Sequence, residues 1–205
     1  MSVGGTATEQ QEAFVCAVEN RLRSEGLVPH TVGRNTFSAD APLKAVTELM
    51  ARCAGTVVIA LERSYFPSRA EKRGGPREAT FSDVKLPTPW NHIEATMAYA
   101  RGLPLLVIVE SGLKCEGLLE RGYDWYVQSV NPEAPSLNTN EFNGVLASWK
   151  RKMSETSIKA PMSRSPSDLT IGDLVLGLKP VQLWSVLGSV AAVIAGSFAV
   201  GAKLF

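Results

Sequence analysis

The chain has 205 residues, enough for one medium domain and a smaller appendage, and its 21 basic and 20 acidic residues nearly cancel. That balance excludes a global electrostatic pull on nucleic acid. Three widely spaced cysteines (Cys16, Cys53, Cys115), no CxxC pair and only His30 and His92 as imidazoles argue against a bound metal. The same cysteine usage, without a secretory signal pattern, points to a reducing compartment.

In chain order, "MSVGG" is a weak candidate for an opening strand. Phe14, Val15, Val18 and Leu22 recur at helical spacing and predict a helix over 9–25, closed by Gly26. "LVPHTV" (27–32) reads as a short strand, followed by the loop "GRNTFSADAP". Val46, Leu49 and Met50 predict a second helix over 43–53, ended by Gly55. "TVVIAL" (56–61) is a continuous apolar run, as expected of a strand covered on both faces. Residues 62–88 read as a long polar loop with glycines and prolines. A helix over 90–101 breaks at Gly102 and leads into a second buried strand, "LPLLVIVE". "GYDWYVQSV" predicts a further strand and "NEFNGVLASWKRKM" a final helix. Strands alternating with helices imply an α/β fold, a flavodoxin-like parallel sheet with helices on both faces.

The C-terminal part reads differently. "VQLWSVLGSVAAVIAGSFAVGA" (181–202) carries no charged residue and, at about 1.5 Å per residue, would span roughly 33 Å as a helix. It is therefore expected to cross the hydrocarbon core of a lipid bilayer once. Lys150, Arg151, Lys152, Lys159 and Arg164 precede it and only Lys203 follows, so the positive-inside rule leaves the N-terminal domain in the cytoplasm. The expected organisation is a domain over 1–155, a linker over 156–170, a short amphipathic segment over 171–180 and the transmembrane helix over 181–202. Gly188, Ala192 and Gly196 recur every fourth residue, a spacing that lets two such helices approach closely.

In parallel sheets ligands bind beyond the carboxyl ends of the strands. "TVVIAL" ends there with Glu62, Arg63 and Ser64, and the helix carrying Glu94 is expected to begin on the same rim. At this point the residues resemble a known family. "TVVIALERSYF" followed by "WNHIE" is similar to the TIR domains, and Trp90-x-x-x-Glu94 matches the W-x-x-x-E of their NAD-cleaving members. "GRNTFSADAPLKAVTELMARCAG" falls where that family has its BB loop and following helix. The resemblance covers roughly 14–130. It implies Glu94 as catalytic carboxylate, with Trp90, Arg63, Ser64 and Arg34 contacting the substrate. It implies NAD as substrate rather than cofactor, and a homo-oligomer as the acting form. Nucleoside 2-deoxyribosyltransferases share the architecture and use a helical Glu, although their Asp-x-Gly-Thr is absent here.

The chemistry explains the carboxylate. Cleaving the nicotinamide–ribose bond builds positive charge on the ribose, and a partly desolvated acid can stabilise it or trap the sugar. Nicotinamide leaves without needing a general acid. Against this stands a plainer role for Glu94 as an acid near a helix N-terminus, and for Trp90 as core packing. The resemblance thus implies a membrane-anchored, NAD-degrading effector of the bacterial inner membrane, acting in anti-phage defence. The alternatives are a non-catalytic TIR-type adaptor recruiting partners through the 33–43 loop, and a nucleoside or nucleotide N-glycosidase.

Overall fold

The computed structural model describes residues 1–122 and 124–159, which form one compact unit, Met1–Lys159. The expected amphipathic segment and transmembrane helix lie outside the described residues. Among the described residues, no helix is long and apolar enough to cross a membrane.

Local chemistry sets the helices. α1 (Glu9–Ser24) starts at Thr8, whose hydroxyl accepts from the Gln11 N–H at 3.2 Å. Its acids, Glu9 and Glu12, sit in the first turn and its bases, Arg21 and Arg23, in the last, as the helix dipole favours. α2 (Pro42–Met50) and α3 (Pro89–Ala100) both open on a proline, whose missing N–H costs nothing there. The Thr88 hydroxyl caps α3 by accepting from the Trp90 N–H. α4 (Asn140–Lys159) is the longest helix among the described residues, and it makes the first positions of the expected linker helical.

Four parallel strands form the sheet: β1 (Ser2–Val3), β2 (Thr56–Ala60), β5 (Leu105–Glu110) and β6 (Tyr126–Val130), in the order β1-β2-β5-β6. All five residues of β2 are buried, because both faces are covered. On one face, Val57, Ile59, Leu106 and Ile108 pack against Phe14, Val15, Val18 and Leu22 of α1 and Phe142, Leu146, Trp149 and Met153 of α4. On the other, Val58, Ala60, Val107 and Val109 pack against Val46 and Met50 of α2 and Ala95 and Ala98 of α3. This is the α/β, flavodoxin-like arrangement, a parallel sheet with helices on both faces. Gly55 lets α4 close over the start of β2: a Cβ there would lie 2.7 Å from the Met153 sulfur and 3.0 Å from Trp149 Cζ2.

Three elements differ from the sequence expectation. "MSVGG" does supply a strand, short but in register, with Ser2 opposite Val58 and Val3 opposite Ile59. "LVPHTV" is not a strand, although it lies beside β1, where the Met1 ammonium donates to the His30 carbonyl. Pro29 has no N–H for a ladder, and the Asn35 side chain captures the backbone instead. It accepts from the Thr31 N–H at 2.7 Å and donates to the Pro29 carbonyl at 3.0 Å. The expected polar loop is largely an antiparallel hairpin of β3 (Ser64–Glu71) and β4 (Ala79–Leu86). Its strands are mostly exposed on both sides, so no apolar alternation marks them, and the glycines sit in the turn at Gly74 and Gly75.

Candidate functional site

α3 starts at the carboxyl rim of the sheet and runs back over its face. Glu94 lies six positions after the Thr88 cap, about 9 Å along the axis. Glu94 therefore lies not on the rim but between β1 and the helices. It lines a cavity of about 40 Å³ with Met1, Ser2, Val3, Thr31, Val32, Val46, Leu49, Met50, Cys53, Gly55 and Thr56. Thr56, the first residue of β2, and Gly55 and Cys53 just before it are in that lining, so the cavity lies toward the amino end of the sheet, away from the carboxyl rim.

The apolar wall raises the proton affinity of Glu94 above the ordinary carboxylate range through desolvation. A hydrogen bond from Ser2 and the Met1 ammonium act in the opposite direction. Burial likewise lowers the proton affinity of the Met1 ammonium. A half-buried acid in this setting can hold a negative charge against developing positive charge with less screening than bulk water would give.

The other expected site residues are dispersed. Trp90 is 41% exposed on the first turn of α3 and does not line the cavity. Arg63 is exposed at the rim, its Nη1 3.4 Å from the Gly5 carbonyl oxygen. Ser64 opens β3 opposite Leu86. Arg34 is engaged elsewhere: its Nη2 meets Glu12 at 2.6 Å and its Nε meets Glu19 at 2.8 Å, both on α1. The described structure thus brings none of these four into the Glu94 cavity.

The Arg34 contact has a pH signature. It holds the Glu12 carboxyl down at about 2, from 4.5. A depressed acid contributes stability that is present above its unfolded value and lost as pH falls through its folded one. Denaturant unfolding is therefore expected to show a loss between about pH 4.5 and pH 2 that is smaller in Arg34→Ala. Because the Glu12 side chain is 43% exposed, screening keeps this contribution modest.

Sequence reasoning missed Ser2, Asn91 and Thr31. Asn91 is 1% exposed and stands three residues before Glu94, so one helix face carries both, which was readable from the spacing. Nothing in "MSVGG" marked Ser2 as a neighbour of that face. Among the described residues no cluster of three or more His, Cys, Asp or Glu could hold a metal ion. No family model, curated protein or solved structure matches the chain.

Proposed function

We propose that residues 1–159 form a TIR-like domain that cleaves the N-glycosidic bond of NAD, with Glu94 as the carboxylate. The observation that carries this reading is Glu94 itself: a half-buried acid of raised proton affinity, lining a cavity over a flavodoxin-like sheet. In the reaction the C1′–N bond breaks and its electron pair leaves on the nicotinamide nitrogen. Water then forms the new C1′–O bond and gives up a proton. Glu94 stabilises the positive ribose between those steps.

A cavity of about 40 Å³ holds roughly three waters and not a ribosyl group. Turnover therefore requires α2 and residues 31–32 to separate from β1. Incubating the full chain with NAD, and separately with deoxynucleosides, is expected to release nicotinamide and leave the deoxynucleosides intact. Free base from the deoxynucleosides alone would instead identify a nucleoside N-glycosidase.

Residues 181–202 anchor the domain to a bacterial inner membrane, with the domain in the cytoplasm, in a defence role. The chain is expected to pellet with membranes, and truncation after Lys179 to release it. Carbonate-resistant retention of the truncated form would count against the anchor. A second reading is the non-catalytic adaptor, favoured by Phe37, which is 78% exposed on the 33–43 loop. Wild-type protein without NAD turnover under any assembly condition would support it.

A further inference from the structure

β6 stands last in the sheet order, so one of its edges has no strand beside it. The Ser111 N–H donates to the Val130 carbonyl at 2.8 Å, which fixes the groups that face that edge. Val130 lies opposite Glu110, so the backbone groups of Tyr126, Gln128 and Val130 turn toward β5. Val127 and Ser129 alternate with them and turn their N–H and C=O outward. Among the described residues no backbone or side-chain group meets these outward groups. Proteins that leave an edge to solvent usually protect it with lysine, proline or a bulge. "YVQSV" has neither residue, and its register with β5 runs without a break. The side chains add a second observation. Val130 packs in the α1–α4 layer, so Tyr126 and Gln128 share that face. Gln128 is 4% exposed, yet its Oε1 is buried with no partner, a costly state that calls for a donor.

We propose that β6 pairs with β6 of a second copy of this chain, antiparallel about a two-fold axis beside Gln128, so that the two sheets join edge to edge. In that register Val127 faces the partner's Ser129, and Ser129 faces the partner's Val127. Each facing pair exchanges both N–H···O bonds, so every outward backbone group of both strands is satisfied. Gln128 then stands opposite the partner's Gln128 in a non-hydrogen-bonded pair, where Cα atoms are about 4.5 Å apart and side chains lie closest. Each amide N–H reaches the other's Oε1, the donor that this oxygen lacks within one copy. Tyr126, 46% exposed, faces the partner's Val130, an aromatic and β-branched pair of the kind that stabilises sheets. No charged residue lies on the strand, so the axis brings no like charges together along it. An unrelated extended segment would supply the backbone bonds alone, whereas a second copy places an amide opposite Gln128 by symmetry. The interface is built from residues 126–130 and stands apart from the NAD reading.

The test is disulfide trapping in the full chain, with a second readout by hydrogen exchange. Gln128→Cys is expected to form a bond between two copies at position 128 on mild oxidation, because Cα atoms about 4.5–5.5 Å apart suit a disulfide. Peptide masses assign that bond, since Cys16, Cys53 and Cys115 remain in the chain. Ser129→Cys places its two Cα atoms about 8–9 Å apart across the axis, beyond disulfide reach, and is expected to give almost none. In the wild type the Val127 N–H is expected to exchange faster on dilution, as the copies separate. Ser129→Pro removes an outward donor without touching the β5 ladder and is expected to speed that exchange at least about tenfold at fixed concentration. Ser129→Lys, which sets like charges along the joined edges, serves if the proline variant does not fold. If Gln128→Cys does not fold, exchange in the wild type decides. A folded Gln128→Cys protein that forms no bond at position 128 would overturn the pairing, as would a Val127 N–H that exchanges at one rate at every concentration.

Discussion

Glu94→Gln is expected to reduce NAD cleavage by about 10²- to 10³-fold in an assembled, folded protein, the usual loss when a charge-stabilising group is removed from an enclosed site. The substitution keeps the side chain's length but removes the negative charge facing the ribose. Because Val46, Leu49 and Met50 of α2 line one side of the cavity, the few waters it can hold replace that charge only weakly. The plainer role makes a different forecast. An acid serving only the helix dipole would cost about 0.3–1 kcal/mol of stability and leave turnover alone. Relief of desolvation would even offset part of that, since the neutral amide is easier to bury. Near-wild-type turnover in Glu94→Gln would refute the mechanism.

The second large effect is structural. Trp149→Ala is expected to destabilise the domain by about 3–5 kcal/mol, measured by denaturant unfolding, with near-complete loss of folded protein if the wild type is marginal. Trp149 is 6% exposed, and its indole N–H donates to the Pro104 carbonyl at 2.9 Å. Removing it opens a cavity and leaves that carbonyl without its side-chain donor just before β5. It also takes away the surface on which Gly55 packs. α4 would then be held chiefly by Phe142, Leu146 and Met153, with Lys150 meeting Glu25 at 2.6 Å. An effect below about 1 kcal/mol would mean that α4 packs against the sheet less tightly than described.

The two predictions draw on different kinds of information. β2 and β5 were legible as runs of apolar residues because strands buried on both faces need no alternation. α1, α2, α3 and α4 were legible from helical spacing, from Pro42 and Pro89 at helix starts, and from glycines at the ends. Those signals are local, so they survive without knowledge of the fold, and together they dictated an α/β class with a parallel sheet. Glu94 was likewise visible as a carboxylate on a helix that follows a buried strand.

Its surroundings were not visible. The hairpin of β3 and β4 hid because solvent covers most of both its faces and no pattern is enforced on it. "LVPHTV" looked like a strand because its composition suits one, yet Pro29 and the Asn35 side chain divert its backbone hydrogen bonds. Arg34 read as a candidate for substrate, but the loop folds it onto Glu12 and Glu19, residues distant in the chain. Ser2, Asn91 and Glu94 meet only because β1 inserts beside β2 beneath α3, a juxtaposition set by sheet order. Local propensity follows from the covalent chain and its nearest neighbours. The setting of a carboxylate follows from which distant residues replace its water, and that is a property of the packed fold.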